Sequence, residues 1–191
     1  MKERPEDSFG YWLFYAQRSW AYAFNEALKT CCQEHGKPSV TPPQWGVLSA
    51  LLEEDGLTIG VLSQRRALDA PTITGIVKRL EQVGLVERVH GREDRRVVRV
   101  FLTEEGHDLM SFLPDAVVAF SQVALQGISV EKQQELCLLM QQTIANLSTI
   151  GPGMGDRFGL LPDFLRSDLE QQLCDENWAD TSYKEPRKDI P

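Results

Sequence analysis

The sequence has no apolar run approaching the roughly 20 residues of a membrane-spanning helix, because Arg18 interrupts its most apolar stretch, Phe9 to Phe24. Its four cysteines, at positions 31, 32, 137 and 174, form no CxxC knuckle and would be a poor staple set for 191 residues, so free thiols are expected. The three histidines, His35, His90 and His107, lie in segments of different predicted structure, and no metal site is expected. A Ser/His/acid arrangement and a phosphate-cradling glycine loop are also missing, so the chain reads as no enzyme, with no catalytic residue and no cofactor. The opening MKERPEDS carries three acidic residues and does not read as a secretory leader. A cytoplasmic protein without a membrane partner is the expectation.

Net positive charge is lacking too, and a formal charge of -8 argues at first against a nucleic-acid partner, whose phosphates must be neutralised. The distribution argues the other way. From Leu57 to Arg99 there are nine Lys and Arg against five Asp and Glu, whereas the rest of the chain holds 11 basic and 23 acidic residues. Positive charge is concentrated in one middle segment.

Residues 9–35 read as one long helix stopped by Gly36, Lys37 and Pro38. Eight of the 16 aromatic residues fall between Phe9 and Phe24, more than one buried stripe requires. A dimer interface is the economical explanation, and a ligand pocket beside it the sharper one. Thr41-Pro42-Pro43-Gln44 has the spacing of a capping box and starts a second helix, with Trp45, Val47, Leu48, Leu51 and Leu52 as its core stripe. A short helix from Thr58 to about Arg66 follows, with Ile59 and Leu62 inward. Asp69 then caps another helix over 70–83; Pro71 has no N–H, so the carboxylate is expected to bond the N–H of Thr72. Ala70, Ile73, Val77 and Leu80 are its expected core face, and Gly84 its stop. Leu85 to Val89 and Arg96 to Leu102 read as strands of a hairpin with a charged tip, His90-Gly91-Arg92-Glu93-Asp94-Arg95. Thr103 caps a helix running toward Val123, kinked or divided at Pro114. The last strong helix begins at Ser129, with Val130, Leu136, Leu139, Met140, Ile144 and Leu147 as a stripe. Beyond Gly151-Pro152-Gly153 the tail to Pro191 is acidic, with one short helix expected over 162–174.

Two short helices joined by a tight turn and followed at once by a hairpin make a winged helix-turn-helix, whose second helix fits the major groove of double-stranded DNA. The stretch LTIGVLSQRRALDAPTITGIVKRLEQVGLVERVHGREDRRVVRVFLTEEG resembles the MarR family of bacterial transcription regulators, most tellingly in DAPTITGIVKRLEQVGLV and REDRRVVRVFLTEEG. The resemblance runs more loosely from Phe9 to about Leu147. It implies a mainly α fold with a small β-hairpin wing, in which the terminal helices form a homodimer and each subunit presents one winged helix. It also implies a small molecule that enters a cleft between these regions and weakens DNA binding. The expected division is 1–40 as an N-terminal dimerisation helix, 41–102 as the DNA-binding unit, 103–150 as C-terminal dimerisation helices and 151–191 as tail. Asp94 and Arg96 match the family's D-x-R pair, an arginine held by an aspartate beside the DNA, although an exposed pair can also merely brace a turn.

The residues themselves agree. Pro71, Thr72, Thr74 and Gly75 open the recognition helix, and threonine can offer thymine a methyl or a polar base edge a hydroxyl. Lys78 and Arg79, with Ser63, Gln64 and Arg65 of the preceding helix, suit phosphates, and Arg92, Arg95 and Arg96 suit the backbone or a narrow minor groove. For Lys78 alone a solvated face is the plain alternative. Tyr11, Trp12, Tyr15 and Arg18 are candidate contacts for an effector such as an aromatic acid or phenol; the alternatives are interface core for the rings and an intersubunit carboxylate for Arg18. The expected function is therefore a ligand-responsive repressor on a pseudo-palindromic operator. Its rivals are a thiol-based redox regulator acting through Cys31 or Cys32 and a winged helix that binds only protein. In the peroxide-sensing branch of the family the reactive cysteine lies early in the first helix, and Tyr15-Ala16 aligns Tyr11 with it, which argues against that chemistry.

Overall fold

A computed structural model describes residues 4–90 and 97–148. The wing residues Arg92, Asp94, Arg95 and Arg96, and the helix expected over 162–174, lie outside the described residues. After a 3-10 turn at Pro5–Asp7, the elements are α1 (Phe9–Glu34), α2 (Pro42–Glu53), β1 (Leu57–Thr58), α3 (Ile59–Arg66), α4 (Ala70–Gln82), β2 (Val86–His90), β3 (Val98–Leu102), α5 (Glu104–Met110), α6 (Leu113–Ala124) and α7 (Val130–Ser148).

The local signals act as expected at most element ends. The Gln44 side chain accepts the Thr41 backbone N–H at 2.8 Å, and two prolines open α2 where no N–H is needed. Thr58 caps α3 by accepting from the Val61 N–H at 3.3 Å. Pro114 divides rather than kinks: α5 stops at Met110, and α6 begins with the proline in its first turn.

Val47, Leu48 and Leu51 of α2, Leu62 of α3, Ile73, Ile76, Val77 and Leu80 of α4, and Leu85, Val86, Val100 and Leu102 at the sheet form one buried core, which Leu28, Cys31 and Cys32 of α1 join. Removing one such leucine costs about 2–5 kcal/mol. Two expectations are corrected. Leu52 is exposed, because it lies one residue past the buried ridge of α2. On α4 Ile73, Val77 and Leu80 are buried as expected, but Ile76 is buried with them, while Ala70, at the helix mouth, is exposed.

The sheet has the order β1-β3-β2, all antiparallel, with Leu57 opposite Val100 and Val86 opposite Leu102. β1 is absent from the sequence reading because two residues carry no period. Gly84, at φ +76°, turns the chain from α4 into β2, and the Leu85 N–H reaches back to the Leu80 carbonyl at 3.0 Å. Thr103 ties this corner to α5: its hydroxyl donates to the Gly84 carbonyl at 2.6 Å and accepts from the Gly106 N–H at 3.0 Å, while its N–H donates to the Leu85 carbonyl at 3.2 Å. Gly106 lies so near that a Cβ there would sit 2.2 Å from the Leu85 oxygen.

The terminal helices differ from this core. Trp20 and Phe24 of α1 pack on Phe120 of α6 with ring centroids 5.0 and 5.2 Å apart. Yet Phe9, Trp12, Phe14 and Tyr22 are exposed on α1 and Val118 and Val123 on α6. The α7 stripe is open as well: Val130, Leu136, Leu139, Ile144 and Leu147 are all exposed, and only Ala145 is buried among that helix's described side chains.

Candidate nucleic-acid interface

The joint between α3 and α4 is tight. Ala67 adopts left-handed φ +52°, and the Leu68 N–H donates to the Ser63 carbonyl at 3.2 Å. Asp69 then caps α4, its Oδ1 accepting from the Thr72 N–H at 2.6 Å. The Thr72 hydroxyl bonds the same carboxyl, and these two bonds hold Asp69 below the usual carboxylate range. Thr74 donates its hydroxyl to the Ala70 carbonyl at 2.7 Å.

With Ile73, Ile76, Val77 and Leu80 turned into the core, α4 leaves Pro71, Thr72, Thr74, Lys78 and Arg79 exposed on its outer side. Gly75 is half-buried beneath the Arg79 guanidinium, whose Nη2 lies 3.4 Å from where a Cβ would stand. Gln64 and Arg65 of α3 are exposed beside them. Arg65 pairs with Glu54 at the end of α2. Ser63 departs from the others, because its Oγ is buried without a hydrogen-bond partner and has to rotate outward before it can meet a phosphate.

Sequence reasoning passed over the ties that hold this face to the hairpin. Arg88 of β2 donates through Nε to Glu81 of α4 at 2.9 Å, with Nη2 at 2.6 Å from the same oxygen. The guanidinium lowers the Glu81 carboxyl, and the carboxylate raises Arg88. Arg99 of β3 donates to the Gly56 carbonyl at 2.9 Å, and Asp55 accepts the Leu102 N–H at 3.0 Å. Seven residues separate Glu81 from Arg88 across a change from helix to strand, so no single periodicity reveals the pair.

The MarR family profile matches residues 39–97, the span from the approach to α2 into the hairpin. The organic hydroperoxide resistance transcriptional regulator of Bacillus subtilis is 32% identical over 114 residues, covering 60% of this chain and 74% of its own length. The homoprotocatechuate degradative operon repressor of Escherichia coli is 32% identical over 108 residues, covering 56% of this chain and 72% of its own. The chain belongs to the MarR family. It is thus placed among transcription regulators rather than enzymes. A further relative, a transcriptional regulator of Methylorubrum extorquens, is 39% identical over 108 residues, but the match spans only 54% of that protein and 55% of this chain. Among solved structures, the PcaV transcriptional regulator of Streptomyces coelicolor in complex with its natural ligand is 25% identical with a TM-score of 0.65, over 75% of this chain and 96% of that one. The MarR winged helix, mostly helical with its small antiparallel sheet, is the fold of this chain.

The MarR-type effector region was expected at Tyr11, Trp12, Tyr15 and Arg18. Tyr11 stacks edge-on to Trp12 with centroids 5.4 Å apart and lies 4.7 Å from Tyr15. The charge that Tyr15 would carry, together with its hydrogen bond, raises the Tyr11 hydroxyl above its ordinary value. Trp12 donates Nε1–H to the Glu6 carbonyl at 2.8 Å. The three rings come together, while Arg18, one turn on, is exposed and makes no ion pair among the described residues.

Cys31 and Cys32 are buried, and burial pushes both thiols up. The two neighbouring basic side chains are engaged elsewhere. His35 directs Nδ1 to the Cys31 carbonyl at 2.9 Å with the sulfur at 4.0 Å, and its ring stacks on Phe112. Lys37 is held by Glu105 at 3.0 Å and by Asp108. Among the described residues no group of His, Cys, Asp and Glu could hold a metal, and no helix is long and apolar enough to cross a membrane.

Proposed function

We propose that the chain is a homodimeric repressor that binds a pseudo-palindromic operator through α4 and the wing, and leaves it when a small aromatic acid or phenol binds. The observation that carries this reading is the outer side of α4: a capped helix with exposed Pro71, Thr72, Thr74, Lys78 and Arg79, flanked by Gln64 and Arg65, in a chain whose total charge is -8. The cations hold phosphates and the helix mouth meets base edges. Arg92, Arg95 and Arg96 would add contacts to the flanking minor groove or backbone, Asp94 and Arg96 being the match to the family's D-x-R pair.

The units are residues 1–40 and 103–150 for dimerisation, 41–102 for DNA and 151–191 as an acidic tail. The exposed apolar residues of α1, α6 and α7 support the pairing, since a monomer rarely leaves so much apolar surface in water. Tyr11, Trp12 and Tyr15 supply rings, and Arg18, which makes no ion pair among the described residues, a cation, the kinds of group that suit an aromatic carboxylate. The relative named for homoprotocatechuate degradation and the PcaV regulator with its natural ligand support a small-molecule effector. The name of the Bacillus subtilis relative points instead to hydroperoxides. The burial of Cys31 and Cys32 and the tyrosine at position 11 weigh against that route here.

Electrophoretic shift of genomic fragments, with and without small aromatic acids, tests the proposal. The expected result is a sequence-specific complex that one such acid dissolves. Binding no tighter than to random duplex at low salt overturns the DNA reading and favours a protein-binding winged helix. Release by hydroperoxide but by no aromatic acid overturns the effector reading.

A further inference from the structure

We infer that Thr74 reads thymine through its 5-methyl group, not by donating a hydrogen bond to a base edge; this rests on the proposed DNA-binding function. A threonine hydroxyl has one proton to donate. Thr74 gives its proton to the Ala70 carbonyl at 2.7 Å. Thr74 keeps no donor for thymine O4 or for guanine O6 and N7.

The backbone from Pro71 to Ile73 offers no free donor either. Pro71 has no N–H, and that of Thr72 goes to Asp69 at 2.6 Å. From Ala70 to Val77 the helix carries no Asn, Gln, Arg or Lys, the side chains that pair with bases in two-pronged fashion. What its exposed opening presents is Ala70, the Pro71 ring and the γ-methyls of Thr72 and Thr74. In the major groove the apolar feature of a base edge is the thymine methyl. The helix mouth therefore specifies thymine, while Lys78 and Arg79 behind it supply affinity without sequence.

The test uses the full chain. A site is first selected from random duplex DNA at low salt, then remade with deoxyuridine replacing each thymine in turn, which removes the methyl and keeps every hydrogen-bonding group. Binding is expected to weaken about four-fold at one or two positions in each half-site, as a contribution of about 0.8 kcal/mol per methyl gives. Thr74→Val keeps the methyl and loses the hydroxyl, and should bind within about two-fold of the unaltered chain. Thr74→Ser does the reverse; it should bind about four-fold more weakly and no longer distinguish thymine from deoxyuridine at the position it reads. Circular dichroism verifies that both variants keep their helices. Equal affinity for thymine and deoxyuridine sites, or a loss of about ten-fold in Thr74→Val, overturns the inference while leaving DNA binding intact. A chain that enriches no sequence overturns both.

Discussion

Arg88, in the middle of the first wing strand, closes an ion pair with Glu81 in the last turn of the recognition helix, with Nε 2.9 Å from the carboxylate. The pair bridges the two parts of the proposed DNA face and covers an acidic group close to Lys78 and Arg79. Both side chains are about one-third exposed, so Arg88→Ala should change unfolding free energy by less than about 1 kcal/mol in urea melts. Operator affinity should fall several-fold, and adding Glu81→Gln should recover part of the loss by removing the uncovered charge. No recovery in the double variant would show that Arg88 acts on DNA directly.

Asp69 is the cap on which α4 depends, and Asp69→Ala should lower Tm by a few degrees and weaken DNA binding. The pH dependence follows from the sign of the shift. The folded carboxyl lies below its unfolded value, so its contribution is complete above the ordinary carboxylate range and is lost as pH falls through the folded-state value. Asp69→Asn keeps a capping oxygen and should flatten that acid limb in thermal melts from neutral to acidic pH.

Lys78 is proposed to hold a phosphate, and Arg96 to meet the flanking minor groove or backbone. Lys78→Ala should lower the slope of log affinity against log salt by about 1, alike on specific and random DNA. Arg96→Ala should weaken operator binding without dissociating the dimer. A shift assay with unchanged affinity at moderate salt would remove Arg96 from the interface.

Leu139 on α7 is exposed in the single chain. If α7 is covered by a second copy, Leu139→Glu should shift sedimentation from dimer to monomer and abolish binding to the two-half-site operator. In a chain that works alone the change costs almost nothing, so an unaltered mass and affinity would refute the assigned interface.

The buried thiols give a fifth expectation. The Cys31→Ser and Cys32→Ser variants should keep DNA affinity and effector response, because neither thiolate is accessible at neutral pH. Loss of hydroperoxide sensitivity in either variant would reinstate redox sensing.

Signals confined to a few residues were legible before any coordinates. Thr41 with Gln44, Asp69 with Thr72, and the stop at Gly84 each depend on chemistry within three or four positions, and each stands as expected. Contacts between elements were not legible. Val98 and Arg99 show an alternation, but nothing in it announces that β1 will pair with that strand. On α4 the expected Ile73, Val77 and Leu80 are buried, but Ile76 joins them and Ala70 does not, because a periodic pattern does not say how far the neighbouring elements reach along or around a helix. Arg66 offers the same lesson: it marks the end of a short helix in the sequence, and nothing there shows that its guanidinium lies against Gly46, where a Cβ would come within 2.5 Å. The apolar stripe of α7 was visible as a pattern, but a pattern does not say whether its cover comes from the same chain.

At position 106 even a methyl group would collide with the carbonyl oxygen of Leu85, which is backbone and cannot swing aside as a side chain would. With Thr103 fastening both sides of that corner, the seam between the C-terminal helices and the wing has no slack. Gly106→Ala would have to part α5 from the start of β2 and stretch the bonds Thr103 makes there.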